Sequence, residues 1–271
     1  TYGTNGFNLK FEDRTNLDLD SGTNNFTNFT TVGTLTATYD NPSNNFATWN
    51  AVAIGAGFSG LSNGNTTLSL SDYSFNTRSS LAMPAGKWYW EVKGSSSTNI
   101  RVGVTTANSN SNLDPDDSSF FWGDAGNGGV YIGNTAVAAS WQRTNNDTSV
   151  SIDSGPAIGG AADAIIMIAL DVDAGKLWLG QDGVWCDSGD PAAGTDAWIT
   201  LTNSSPDPLV AHAGFGTASA RVNKTNFGNG YFGTDAVTSA NADDAGIGAF
   251  EYDVPAGFYT LCTKNLKLQG G

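Results

Sequence analysis

An antiparallel two-sheet β-sandwich is the fold this sequence predicts, and three observations predict it. Short apolar or alternating runs recur along the chain at close spacing, separated by turn residues. The acidic residues are almost all Asp: of 26 Asp and Glu, only Glu12, Glu91 and Glu251 are Glu. Asp competes with the helical backbone and favours turns, where Glu favours helix. Gly reaches 34 residues, and long runs of Ala, Leu, Glu and Lys are absent.

Residues 1–50 read as a polar arm. Phe7, Leu9 and Phe11 alternate as a short strand, Thr31 to Tyr39 has strand composition, and Phe46 to Asn50 reads as another strand after the turn cluster Asp40 to Asn45. The arm is too polar to fold alone, so it is expected to pack on its own sandwich or on a neighbouring subunit. Residues 51–233 carry the sandwich. Gly55-Ala-Gly57-Phe-Ser-Gly60 has the spacing of a dinucleotide loop, but turn residues follow it where a helix should open, so it reads as a turn.

Thr66 to Leu70 is the next strand. In Lys87 to Lys93, Trp88, Trp90 and Val92 alternate with Lys87, Tyr89, Glu91 and Lys93, which predicts a strand with two distinct faces. Ile100 to Thr105, Val130 to Ile132, Thr135 to Trp141 and Ser149 to Ile152 follow as strands, with an Asn/Ser/Asp loop at Asn108 to Ser119.

The centre of the chain is Ala164 to Trp185. Ile165 to Leu170 is a continuous apolar run, Asp171, Asp173 and Gly175 supply a turn, and Leu177 and Leu179 alternate with Lys176, Trp178 and Gly180. Asp182-Gly183 is a second turn, after which Val184-Trp185 resumes the apolar pattern. Strands at Ile199 to Thr202, Leu209 to Gly214 and Ala220 to Asn223 come after a long loop. Residues 234–271 form a C-terminal extension. In it Phe250, Tyr252 and Val254 alternate as a last strand, and the segment from Pro255 to Leu268 fits helix or extended chain.

With 271 residues and 39% hydrophobic content, the chain can bury one large core or two small ones. A net charge of −14 with only 12 Lys and Arg, none clustered, argues against nucleic acid and anionic lipid as partners. No apolar run has the length of a membrane span, so membrane insertion is not expected. Cys186 and Cys262 are too few for a disulfide framework and read as free thiols. The first residue is Thr, so the chain is expected to be processed, trimmed or cut from something longer.

Four stretches together resemble the SPRY family of β-sandwich domains. They are GKWYWEV at 86–92, RVGV at 101–104, IALDVDAGKLWLGQDGVW at 168–185 and ARVNKTNFG at 220–228. The resemblance implies a SPRY-like or jelly-roll sandwich. A second resemblance covers NGFNLKF, DNPSNNFATWN, GDPAAGT and PAGFYTLCTKNL, which look like segments of structural proteins of tailed phages, marine ones especially. It implies a virion protein made in the host cytoplasm: a component of a tail fibre, tail tip or other appendage, in contact with other virion proteins and homo-oligomeric, with a trimer favoured. It also implies contact with a host-surface glycan or protein. A capsid decoration or fibre shaft protein is the alternative, and a polysaccharide depolymerase a weaker one.

The residues carry no evident catalytic constellation. His212 is the single His and lies in an apolar strand, which favours a packing role. Sugar hydrolysis needs two facing carboxylates, and the three Glu are isolated. The Asp pairs 114/116/117, 171/173, 187/190 and 243/244 sit in turn-like contexts. Asp171, Asp173 and Asp182 are faintly similar to a calcium loop, but Lys176 stands where that loop needs Gly, so no cofactor or metal is expected. Sugar binding asks for exposed rings beside amides or carboxylates. Phe121, Trp122, Asp124, Trp141, Gln142 and Trp185 offer that chemistry, each in competition with a role in the core.

Overall fold

The structure, a computed structural model, describes residues 6–22, 32–33, 35–54, 60–70, 76–94, 100–107, 130–134, 141–145, 148–152, 163–201, 207–215 and 221–270. In chain order the strands are β1 (Trp49–Ile54), β2 (Gly60–Ser62), β3 (Thr67–Leu70), β4 (Asn76–Met83), β5 (Lys87–Gly94) and β6 (Ile100–Thr106). Then follow β7 (Val130–Asn134), β8 (Trp141–Asn145), β9 (Thr148–Ile152), β10 (Ile165–Asp171), β11 (Lys176–Gln181) and β12 (Val184–Trp185). After these come β13 (Ile199–Thr200), β14 (Leu209–Phe215), β15 (Arg221–Asn226), β16 (Tyr231–Phe232), β17 (Asp235–Ala236) and β18 (Tyr259–Thr260). One helix, α1 (Thr263–Gln269), closes the chain.

Two sheets stack. The first has seven strands in the order β1-β4-β14-β6-β7-β8-β9, and the second has nine, running β12-β11-β10-β5-β15-β3-β2 with β13 beside β11 and β18 beside β5. All pairings between named strands are antiparallel except the short β18–β5 contact. The fold is therefore an all-β antiparallel sandwich, as the spacing of strands and turns predicts.

Its core shows why β5 alternates. Trp88, Trp90 and Val92 face the seven-stranded sheet and pack with Ile166, Ile168 and Leu170 of β10, Leu177 and Leu179 of β11, and Leu209, Ala211 and Ala213 of β14. Tyr89 points to the other side of the sheet, into a second cluster with Met167, Ala169, Trp178, Phe250 and Phe258. β10 is buried along its whole length. Both of its faces are covered, which is what a continuous apolar run without alternation requires.

The central hairpin follows its turn chemistry. Leu170 pairs with Leu177 and Asp171 with Lys176. Asp171 Oδ1 accepts the Ala174 N–H at 2.8 Å, closing the first turn. Asp182 (φ 49°) and Gly183 (φ 86°) form the two-residue link from β11 to β12, whose two positive φ values suit Asp-Gly.

The end of the arm and the C-terminal segment meet on the sandwich. Phe46 bridges Cys262, Ala47 N–H donates to Leu261 O at 2.9 Å, and Thr263 N–H donates to Asn45 O at 2.9 Å. Phe46, Ala47 and Trp49 lie in the main core. Cys186 and Cys262 are both free and buried, and burial pushes the Cys186 thiol up to about 12.

Several expected strands do not form, for identifiable reasons. Phe7, Leu9 and Phe11 make no strand. Leu9 has one bridge to Asp20, Phe7 and Phe11 are exposed, and Phe11 sits at φ 54° in the left-handed region. Asp20 Oδ1 takes the Asn8 and Gly22 N–H groups, which favours a turn over a ladder. Residues 35–39 of the expected Thr31 to Tyr39 strand are irregular, and 31 and 34 lie outside the described residues. The strand placed at Phe46 to Asn50 starts instead at Trp49. That placed at Thr135 to Trp141 begins at Trp141, with 135–140 outside the described residues, as are 55–59 of the glycine-rich motif.

Phe250, Tyr252 and Val254 form no strand either. Phe250 has a single bridge to Asn241. The N–H groups of Glu251 and Tyr252, which a ladder would use, donate instead to the Glu91 carboxylate. The segment left open between helix and extended chain adopts both, as β18 and then α1.

Candidate binding cleft

The carboxylates decide first what the molecule can do. Glu91 lies on the outward face of β5 and is fully buried. It accepts the Glu251 and Tyr252 N–H groups at 2.9 Å each, the Tyr89 hydroxyl at 3.0 Å and the Asn226 side-chain amide at 3.5 Å. Burial pushes its pKa up to about 7, against these donors, which pull it down. Asp243 does the same work within the C-terminal extension. Its Oδ1 accepts the Ala245 and Ile247 N–H groups at 2.9 Å, and its Oδ2 accepts from Thr260 N at 2.9 Å and Asn265 Nδ2 at 2.7 Å.

Several other described acids are also occupied locally. Asp171 forms an ion pair with Lys87 at 3.3 Å, Asp173 takes the Gly86 N–H, Asp190 that of Ala193, and Asp244 that of Gly257. Glu251 holds Thr238 through its N–H at 2.7 Å and through its hydroxyl. Asp182 takes the Ile165 N–H at the opposite end of the hairpin from Asp171, so the three Asp with calcium-loop spacing do not converge. Among the described residues, no group of three His, Cys, Asp or Glu side chains is placed to hold a metal ion. His212 is buried in β14, opposite Arg78 on one side and Gly103 on the other. The acids Asp114, Asp116 and Asp117 lie outside the described residues.

The aromatic candidates separate. Phe121, Trp122 and Asp124 lie outside the described residues. Trp141 and Gln142 open β8, where Trp141 pairs with Asn134 and Ile152, and Gln142 with Gly133 and Ser151. Trp185 ends β12 on the other sheet. Its ring is half-buried and meets Tyr89 edge-to-face, with centroids 6.4 Å apart, so it serves packing at the margin of the second cluster.

The structure instead shows a cleft, lined mainly by Thr and Asn residues, that no single stretch of sequence announces. It has a volume of about 330 Å³ and lies where the arm crosses the β2–β3 turn and the β16–β17 ribbon. Its walls are Thr36, Thr38, Asp40 and Thr48 from the arm, Asn63, Gly64 and Thr66 from the turn, and Asn229, Tyr231, Gly233 and Thr234 from the ribbon. Thr66 and Asn229 are buried, whereas Thr36, Gly64 and Thr234 are exposed.

Internal hydrogen bonds fix this lining. Thr66 Oγ1 donates to Asn63 O at 2.7 Å and Asn63 Nδ2 to Thr67 Oγ1 at 3.0 Å, while Asn229 Oδ1 accepts the Tyr231 N–H at 3.2 Å. Asp40 accepts from Phe46 N at 3.0 Å and from Thr38 Oγ1 at 3.3 Å, and burial raises its pKa. Asn63 (φ 53°) and Gly64 (φ 66°) are left-handed, the turn geometry that carries the Asn63 amide beside Thr67. At Gly233 (φ +64°) a Cβ would lie 2.7 Å from Thr67 Oγ1, so only Gly keeps the ribbon this close to β3. Among the described residues, the lining holds no Lys or Arg.

No family model matches the chain, and no curated protein matches it in sequence. Among solved structures it is similar to the PSpry domain of TRIM65, with TM-score 0.47 and 15% identity, over 66% of this chain and 90% of that one. It is also similar to the SPRY domain of human HERC1, with TM-score 0.45 and 13% identity, over 65% of this chain and 96% of that one.

Proposed function

We propose that this chain is a non-enzymatic structural protein of a tailed-phage virion. It belongs to a tail fibre, tail tip or other appendage, assembles with copies of itself as a trimer, and contributes to recognition of the host surface. The single observation that carries the reading is where the phage-like segments lie. DNPSNNFATWN at 40–50 and PAGFYTLCTKNL at 255–266 pair with one another through Phe46 and Cys262. GDPAAGT at 189–195 caps the same sandwich: Trp178 Nε1 donates to Thr195 O at 2.8 Å, and Lys176 Nζ to Gly194 O at 2.7 Å. Segments that resemble virion proteins at three separate places in the sequence thus pack into one sandwich. The non-enzymatic reading rests on Glu91 and Asp243, buried carboxylates that hold backbone N–H groups and neighbouring side chains together.

The test is to label intact particles with an antibody raised against the chain, and to measure adsorption of the purified protein to the bacteria those particles infect. Label at the tail with saturable adsorption is expected. Particles without label overturn the virion assignment. Capsid label without adsorption favours a decoration protein and overturns the recognition role. Sedimentation is expected to give three times the 28.1 kDa subunit mass.

A further inference from the structure

We infer that the cleft between the arm, the β2–β3 turn and the β16–β17 ribbon binds a neutral sugar, a hexopyranose or its N-acetyl derivative. The inference rests on the recognition reading for its biological meaning, but on the lining alone for its chemistry. The volume of about 330 Å³ falls at the small end of ligand sites, suited to one or two sugar rings rather than to a peptide or a lipid chain.

Five of the eleven lining residues are Thr, two are Asn, and Asp40 and Tyr231 supply one carboxylate and one ring. The hydroxyls of Thr38, Thr48 and Thr66 donate to Asp40, Ser80 and Asn63 O and so present acceptors, while those of Thr36 and Thr234 can donate and accept, a mixture that matches the hydroxyls around a pyranose. Asp40 already accepts from Phe46 N and Thr38 Oγ1, and each of its oxygens keeps a further lone pair that can accept a sugar hydroxyl. Asn63 uses its amide nitrogen on Thr67 and Asn229 uses its carbonyl on Tyr231, so the first offers an acceptor and the second a donor to a ligand. The Tyr231 ring provides an apolar face for the C–H side of a sugar. With Asp40 present and no Lys or Arg among the described lining residues, phosphate, sulfate and acidic sugars are disfavoured.

The lining is held in place before any ligand arrives, because Thr66, Asn63, Asp40 and Asn229 are each tied to a neighbour. A fixed site loses less freedom on binding, which suits weak single-sugar contacts strengthened by several copies on one particle.

Saturation-transfer NMR on the full chain tests the inference. The probes are glucose, galactose, mannose and N-acetylglucosamine, with N-acetylneuraminic acid and inorganic phosphate as anionic controls. At least one neutral sugar is expected to receive saturation and to bind in the millimolar range, with neither anion competing. Thr36→Trp and Thr234→Trp place a large ring at exposed rim positions, and each is expected to weaken binding at least tenfold while the circular-dichroism spectrum stays unchanged. No saturation of any neutral sugar overturns the inference, as does binding that both variants leave intact or competition by either anion. Sugar binding lost in both variants supports the cleft even if particles carry no label, and adsorption that survives both variants leaves recognition standing without the cleft.

Discussion

The outer face of the nine-stranded sheet and the cleft are built from the same kind of segment, yet they end in opposite states. Over β5, β10 and β11 the C-terminal segment lays Phe250 and Phe258 on Tyr89, Met167, Ala169 and Trp178, leaving these side chains almost no contact with water. At the cleft, the arm and the β16–β17 ribbon approach β3 but leave an opening lined by hydroxyls and amides. The first contact is sealed because aromatic rings face aromatic rings: Tyr89 and Phe250 meet edge-to-face at 4.9 Å, and Trp178 and Phe258 at 6.0 Å. The second stays open because Thr and Asn gain little by excluding water. The C-terminal extension is thus integral to the fold, while the described lining of the cleft carries Thr and Asn side chains, one carboxylate and no cation.

The largest expected effect breaks the sealed side. Phe258→Ala removes a fully buried ring and is expected to cost about 3–5 kcal/mol, read from the urea midpoint. A midpoint unchanged within error would show that the extension merely rests on the sheet.

The next effect comes from Glu91, whose pKa of about 7 lies above its ordinary 4.5. The folded state then holds the proton more tightly than the unfolded one. That contribution is fully present below about pH 4.5 and is lost as pH rises through 7, an effect on the order of 3 kcal/mol. Urea titrations between pH 4 and 8 measure it. Glu91→Gln, which keeps the shape and one acceptor, is expected to flatten this slope. A native protein that gains stability across the same window would contradict the assignment.

Asp243→Asn sharpens the contrast further. It keeps an acceptor and a similar shape but sets an amide against the Asn265 amide or the backbone donors, at an expected cost of about 1–3 kcal/mol. Thermal unfolding reads it, and a neutral result would mean that this carboxylate does not tie Thr260 and α1 to the sheet. The smallest effect belongs to the cleft rim. Thr36→Ala and Thr234→Ala are expected to change stability by less than about 0.5 kcal/mol, since both side chains are exposed. A larger loss would mark the rim as structural.

How much of this the sequence reveals differs between the same two regions. β5, β10 and β11 are legible because their own residues state their environment: alternation for a strand with two distinct faces, an unbroken apolar run for one covered throughout. The seal is not legible. Phe250, Tyr252 and Val254 alternate as a strand would, and what prevents the ladder is Glu91, 160 residues earlier than Glu251. No local pattern announces that capture, although an isolated Glu among buried aromatics is a signal for it. The cleft is hidden for another reason. Its walls come from residues 36–48, 63–66 and 229–234, and Thr, Asn and Gly are common along the whole chain. Trp185 is legible as an aromatic residue near the surface, but Tyr89 on a different strand gives its ring a packing role.

Native-state hydrogen exchange tests the contrast most directly. The Glu251, Tyr252 and Thr260 amides, held by buried carboxylates, are expected to exchange only on global unfolding, at the pace of β5 and β10. Exchange of these three within the time of an unprotected loop, while β5 and β10 stay protected, would contradict it.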